Sequence, residues 1–348
     1  MADNVKCGLV GMGRMGLTHL AILNGHPEVQ FSAVCEESKL VAHVVGKQLG
    51  FRVYGDYRRM LEKEELDCLL VATPSGAHAA LAAEAIRHNL HVFVEKPFCL
   101  DCEAGRRVLD GLKGKRLVNQ VGYVNRFNEM FVLVKQLLDD GLIGEVLHCR
   151  SEMYGSTVLR DAKETWRTTK AQGGGCLREF ASHAIDLMNY FVGMPDTVSG
   201  SVLQSVCSSE VEDAVYSTFH YRSGAVGTLA VNWSDESCRK PVNRVEFFGT
   251  KGKILADKHC CKVFLREVSA GSGFSRGWNV RYITDVAKPV RFYLRGNEFT
   301  RQLDYFIESM RIQRQDNVCS FERAWQTDLL IERIINDSQG NRVEGQHG

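Results

Sequence analysis

The sequence predicts two folds in series. An α/β domain with a doubly wound parallel sheet comes first, followed by an α+β domain with a mostly antiparallel open sheet. Three observations carry this. A strand, a glycine-rich turn and a helix open the chain, and strands and helices then alternate regularly as far as Gly122. Beyond Gly122, long runs of alternating polarity follow one another without regular intervening helices.

A chain of 348 residues exceeds what one core ordinarily organises. The expected domains are 1–122 and 123–338, with a polar, frayed tail over 339–348. Composition is that of an ordinary globular protein, 44% hydrophobic and 24% charged. A formal net charge of +1 gives no reason to expect nucleic acid or a membrane surface as partner. No stretch is apolar for long enough to span a bilayer. Met1–Asn4 leads directly into a strand without a leader pattern, so the expected location is cytoplasmic.

Val5–Val10 is a short apolar strand that runs into Gly11-Met12-Gly13-Arg14-Met15-Gly16 and a helix through Ile22 and Leu23. Asn24-Gly25-His26-Pro27 stops that helix, and Val29–Cys35 forms a second strand ending at Glu36. With 32 glycines in the chain, G-x-G-x-x-G alone is weak evidence. Between a strand and a helix, with an acidic residue twenty positions past Gly16, it is strong evidence for a Rossmann dinucleotide-binding domain. Gly11 makes the tight turn, Gly13 admits a pyrophosphate, and Gly16 allows close helix–strand packing. Arg14 and Met15 open a helix whose free amide groups and partial positive charge face the phosphates. Glu36 is placed to accept from the adenosine ribose hydroxyls and to repel a 2′-phosphate. Glu37 follows it rather than arginine, so NAD is expected over NADP.

Ser38 caps a helix ending at Leu49-Gly50. Asp67–Ala72 is a strand, after which Thr73-Pro74-Ser75-Gly76-Ala77-His78 turns into a helix reaching about His88. A turn such as Thr73-Pro74, at the carboxyl end of a strand, is where a nicotinamide ribose passes, and His78 lies on the same edge. His91-Val92-Phe93-Val94 then reads as a buried central strand that ends abruptly in Glu95-Lys96-Pro97. Pro97 cannot continue a ladder, so Glu95 and Lys96 stand at the sheet edge where open α/β sheets bind ligands. A helix from Asp101 to about Lys113 and a strand over Leu117–Val121 close the domain.

In the second half, a helix is expected from about Asn128 to Leu138 and strands over Val146–Tyr154, Val198–Val206, Ala214–Tyr221, Ala225–Trp233 and Arg244–Phe248. Tyr221–Gly224 reads as a hairpin turn. Helices close the chain near 298–310 and 321–335. Gly173-Gly174-Gly175 precedes a helix whose polar residues Glu179, His183 and Asp186 share one face at about 3.6 residues per turn. A carboxylate–imidazole–carboxylate row on such a helix suggests acid–base work. No second histidine at a matching spacing supports a metal. Asn125, Arg126, Trp166, Arg167, Arg178 and Asp186 are candidates to meet a substrate, the arginines through an acidic group.

Twelve cysteines fall largely within apolar patterns, as Cys7, Cys35, Cys68 and Cys149 do, and read as small buried hydrophobes. Cys99-Leu100-Asp101-Cys102 lacks a second pair at zinc spacing, and Asp101 reads as a helix cap. Cys260 and Cys261 fall on opposite sides of a strand.

The Gly11–Gly16 loop, Thr73-Pro74, Glu95-Lys96-Pro97 and the Gly-Gly-Gly…His183…Asp186 stretch together resemble the Gfo/Idh/MocA oxidoreductases, over nearly the whole chain and in the same order. The resemblance implies that Lys96 contacts both cofactor and reacting hydroxyl, that His183 is the acid–base histidine, and that the C-terminal sheet makes a homodimer or homotetramer. Relatives commonly have aspartate four residues before the histidine and glycine two before it. Here Glu179 and Ala181 stand at those positions.

The expected activity is hydride transfer between a nicotinamide cofactor and the hydroxyl or keto carbon of a sugar, inositol or nucleotide-linked sugar. His183 would act as base, Glu179 would orient it, and Lys96 would polarise the oxygen. The alternatives are a glycosidase that retains NAD through transient oxidation and a non-catalytic dinucleotide-binding regulator. A pure regulator needs neither Lys96 nor His183.

Overall fold

The computed structural model describes residues 4–158, 166–268 and 273–344. The chain opens with β1 (Val5–Val10), α1 (Arg14–Asn24), β2 (Val29–Cys35), α2 (Lys39–Leu49), β3 (Arg52–Tyr54), α3 (Tyr57–Lys63) and β4 (Cys68–Val71). It continues with α4 (His78–Arg87), β5 (His91–Val94), α5 (Cys102–Leu112), β6 (Asn119–Val121), α6 (Glu129–Asp139) and β7 (Val146–Tyr154). There follow α7 (Ser182–Phe191), β8 (Thr197–Gln204), β9 (Ala214–His220), β10 (Val226–Asn232), β11 (Val242–Gly249), β12 (Gly252–Asp257), β13 (Cys260–Leu265) and β14 (Gly277–Tyr282). Three helices finish the described chain: the single turn α8 (Ile283–Val286), α9 (Asn297–Arg311) and α10 (Phe321–Glu344).

Two compact units result, 1–124 with 289–325, and 125–288 with 326–348. The first unit carries six parallel strands in the order β3-β2-β1-β4-β5-β6. Strand order reverses between β1 and β4, the switch point at which such sheets bind ligands. β4 is buried throughout and β5 almost so, because helices cover both faces of a parallel sheet. Cys7 and Cys68 pair across β1 and β4 with their sulfurs 3.0 Å apart, buried and free.

Two expectations change here. β3 and α3 interrupt a stretch in which no element was expected; a three-residue strand and a seven-residue helix are too short to show a period. More consequentially, 289–325 does not belong with the second domain. Leu303, Phe306, Ile307 and Met310 of α9 share a core with Leu9, Ile22, Leu23 and Phe93. Gln120 Nε2 donates to Gln302 O at 2.8 Å, and Val121 N to Cys319 O at 2.8 Å. The apolar i, i+3, i+4, i+7 stripe of α9 predicts a helix but does not say which sheet it covers.

The second unit carries eight strands in the order β14-β13-β12-β11-β7-β10-β9-β8, antiparallel except for the parallel β7–β10 pair. The turn after β9 takes Gly224 at φ +87°, as the hairpin reading required. β12, β13 and β14 extend the sheet beyond the runs read from sequence. Residues of α6, α7 and α10 share one core with the strands, among them Phe131, Val134, Ile185, Met188 and Ile331. The expected tail after Ser338 is helical backbone as far as Glu344.

Candidate active site

The first unit builds a cradle at the carboxyl ends of β1, β4 and β5. Gly11 adopts φ +93°, and a Cβ there would lie 2.7 Å from Ala72 O, so only glycine lets the loop cross the end of β4. A Cβ on Gly16 would lie 1.9 Å from Gly11 O, which fixes how closely α1 follows the loop. Gly13 is the opposite case: it is exposed, and a Cβ would meet nothing within 4 Å. It caps α1 without a side chain, and no acidic residue stands in the first turn. The positive end of α1 therefore faces open space, as an anion site requires.

Glu36 braces this loop. Its Oε2 accepts the Met12 amide at 2.8 Å and its Oε1 the Ser38 amide at 2.8 Å, while Gly11 N donates to Cys35 O at 2.9 Å. The Thr73 hydroxyl oxygen is buried and has no hydrogen-bond partner among the described residues, and Pro74 leads into a short 3₁₀ turn, Ser75–Ala77. The open face at Gly13 and the unmet Thr73 hydroxyl both fit a dinucleotide passing from Glu36 over the loop to the end of β4.

His78 stands on the expected edge at the start of α4, with its ring turned to the backbone. It is buried, with Nδ1 2.7 Å from Pro97 O and Nε2 2.9 Å from Thr73 O. A neutral imidazole donates from one nitrogen only, so it ties down one of these carbonyls at a time. Burial holds its pKa below the ordinary value, against the opposing pull of the two carbonyls. The side chain joins the Thr73 and Pro97 turns; both its nitrogens face backbone rather than a ligand.

Glu95 is likewise turned inward. Its Oε1 lies 2.7 Å from His19 Nε2, with both side chains largely buried, and its Oε2 accepts the Lys96 amide at 3.3 Å. Gly122 packs on the carboxylate, where a Cβ would come within 3.0 Å. His19 was not singled out from the sequence, although a histidine amid the buried Leu20, Ile22 and Leu23 of α1 was the available signal. Lys96 itself is half-buried at the end of β5.

The second unit presents the helix that carries His183. Gly173 and Gly175 adopt φ +82° and +112°, and a Cβ on Gly175 would meet Glu212 Oε1 at 2.4 Å. The third glycine thus makes room for Glu212, whose Oε1 accepts the Leu177 amide at 2.8 Å and whose backbone carbonyl accepts that of Cys176 at 2.9 Å. Burial pushes the Glu212 carboxyl up, and the Leu177 amide and Arg178 draw it back. Glu212 was invisible to sequence reading, because a capping carboxylate 35 residues away leaves no local pattern.

Leu177–Ala181 forms a π-helical turn ahead of α7, so of the expected row only His183 and Asp186 stand on α-helix, while Glu179 lies on the wider π turn. Glu179 Oε2 accepts from Arg167 Nε at 3.3 Å, and His183 is half-buried on the first turn of α7. Asp186 is 1% exposed and forms a bidentate pair with Arg126: Nε to Oδ2 at 2.9 Å and Nη2 to Oδ1 at 2.7 Å. Arg126 also lies over the Tyr190 ring. Neither residue is open to a substrate, and each is the other's counter-charge. Asn125 is buried, and its Oδ1 has no hydrogen-bond partner among the described residues. Arg178 is half-buried on the π turn, where its carbonyl accepts the Ser182 hydroxyl. The Trp166 side chain lies outside the described residues. Among the described residues no group of three or more His, Cys, Asp or Glu is arranged to hold a metal.

Comparison with known proteins places this geometry. A family described as "Oxidoreductase family, NAD-binding Rossmann fold" matches residues 5–123, and the GFO/IDH/MocA C-terminal domain matches 131–255. An inositol 2-dehydrogenase of Rhizobium meliloti is 25% identical over 279 residues, covering 78% of this chain and 81% of its own. A 2,7-anhydro-N-acetylneuraminate hydratase of Escherichia coli is 26% identical over 262 residues, covering 73% and 68%. The structure of a levoglucosan dehydrogenase with NADH and levoglucosan superposes with a TM-score of 0.87 at 22% identity, covering 97% of this chain and 98% of its own. Both matched segments lie in register with the two units described above, and the chain belongs to the Gfo/Idh/MocA family of NAD-binding oxidoreductases.

Proposed function

We propose that this protein is an NAD-dependent dehydrogenase or reductase acting on a CH–OH group of a sugar, an inositol or a nucleotide-linked sugar. The observation that carries the reading is Lys96 at the end of β5 in the same unit as an open glycine cradle braced by Glu36. When bound, NAD supplies the hydride acceptor. Gly11 to Gly16, Glu36, Thr73 and Pro74 hold the dinucleotide. Lys96 polarises the substrate oxygen, and His183 takes the hydroxyl proton. Glu179 on the π turn, paired with Arg167, positions His183, and Arg178 and Asn125 meet substrate oxygens. The names of the Rhizobium relative and of the levoglucosan complex support a polyol or sugar as the reacting class.

The test follows NADH absorbance with NAD against polyols, inositols, sugars and nucleotide-linked sugars. A substrate-dependent rise that falls about 10²-fold or more in Lys96→Ala supports the reading. A flat trace with protein that binds NAD sinks net dehydrogenation of those classes. One observation favours a second reading: a relative named a hydratase points to redox-neutral use of the same scaffold, of which an NAD-retaining glycosidase is another form. Product formation with no net NADH would select it.

We also assign a homodimer or homotetramer to the open face of the eight-stranded sheet. That face leaves Phe248, Trp278, Val280 and Tyr282 exposed around Arg150, Glu152, Arg244 and Glu246, an arrangement of apolar and oppositely charged side chains that suits a second copy. The reading places the enzyme in the cytoplasm, where its twelve free cysteines stay reduced.

A further inference from the structure

The segment 289–325 brings one cation to the glycine cradle that nothing in the loop motif announces. Arg295 is held at φ +65°, a left-handed conformation that a residue with a Cβ seldom adopts, and Gly296 follows at φ +136°. From there the guanidinium lies over the Phe299 ring, 5.1 Å from its centroid, and its Nη1 donates to Met15 Sδ at 3.7 Å. A thioether is a weak acceptor, so most of the five guanidinium donors remain unused. Burial disfavours the Arg295 cation and the like charge of Arg14 adds to this, while Glu95 favours it. Glu95 is already engaged by His19. Among the described residues, neither Arg14 nor Arg295 forms a salt bridge. Two like charges therefore sit together at the positive end of α1, in a first turn without a single acidic side chain.

Such an accumulation is unfavourable until an anion arrives. The loop beside it already provides the open face at Gly13. We propose that Arg295 is a cofactor-binding residue: with Arg14 it clamps the dinucleotide pyrophosphate, from a segment 280 residues away from Met15 in sequence. The backbone conformation at 295 and the ring of Phe299 hold the side chain ready before the ligand binds, so little rotamer freedom is lost on binding. This inference rests on the assignment of NAD as cofactor.

The test is the dissociation constant of the full-length protein for NAD and for ADP-ribose, which shares the pyrophosphate but lacks nicotinamide. It is measured for the wild type, Arg295→Gln and Arg295→Lys at low and high ionic strength, alongside the melting temperature of the ligand-free protein. Arg295→Gln should weaken both ligands about tenfold at low salt, as loss of a charge-assisted hydrogen bond does. The deficit should narrow at high salt. Arg295→Lys should recover part of it, and the ligand-free melting temperature should hold. Unchanged affinities in Arg295→Gln would overturn the proposal. So would a deficit indifferent to salt and accompanied by a lower ligand-free melting temperature, the mark of a packing role. A wild type that binds neither ligand would overturn the cofactor assignment itself and this inference with it.

Discussion

The glycine loop of the first unit and the glycine run of the second unit are similar in sequence and do opposite things. Around Gly11–Gly16 the glycines open the backbone outward: Gly13 has nothing beside it, and Gly11 and Gly16 press together so that it can. At Gly173–Gly175 the run closes inward. Gly175 admits the Glu212 carboxylate, which caps the π turn leading to His183. One cluster leaves an open face and the other is filled by its own chain. A glycine cluster before a helix thus has two meanings, and what a Cβ would meet distinguishes them.

The contrast can be broken hardest at the buried pair that anchors α7. Arg126→Ala leaves Asp186 charged and buried, and should cost the protein about 3–5 kcal/mol in chemical denaturation. If stability barely changes while substrate affinity falls, the pair belongs to the substrate instead. Within the glycine loop, Gly16→Ala should destabilise by about 3 kcal/mol, because a Cβ cannot coexist with Gly11 O. Gly13→Ala should leave the melting temperature unchanged and weaken NAD binding; equal losses of stability in the two would erase the distinction between packing and ligand glycines.

Much of the first unit was legible because its backbone geometry depends on residue type nearby. Gly11 at positive φ, Thr73 after β4 and Lys96 after β5 are local consequences of short motifs. What escaped is long-range. The Arg126–Asp186 pair joins residues 60 positions apart, the α9 core contact crosses more than 180, and neither leaves a period in the sequence. The π turn escaped for another reason: one additional residue per turn does not alter the apolar pattern of Leu177, Phe180 and Ala181, yet it puts Glu179 on a wider turn than the expected α-helix.

Smaller effects sharpen the same contrast. Asp213 accepts the amides of Val206, Cys207 and Ser208, the Ser208 hydroxyl and Trp233 Nε1. Burial pushes this carboxyl up, but those bonds together hold it below its ordinary value. Its stabilisation is therefore present above the ordinary aspartate range near 3.8 and is lost as pH falls through the depressed value. Asp213→Asn should cost about 1–3 kcal/mol near neutrality, with a shallower acid limb in the pH dependence of unfolding. An unchanged acid limb would contradict the assignment.

His78 should give the smallest signal, in the first unit. Its folded pKa is lowered, so the folded protein binds fewer protons than the unfolded chain below the ordinary imidazole value of 6.5. Its contribution is complete above that pH and declines as pH falls below it. His78→Gln should remove that decline while NAD binding is only modestly weakened. A large loss of NAD affinity, with the pH dependence retained, would return His78 to the cofactor.

The division of labour between the two units is tested most directly by His183→Asn, with NAD affinity and substrate turnover measured on the same protein. The account predicts NAD binding within about twofold of wild type and turnover reduced about 10²–10⁴-fold, the worth of a positioned acid–base group. Turnover that survives the substitution, or NAD binding that collapses with it, would contradict the account.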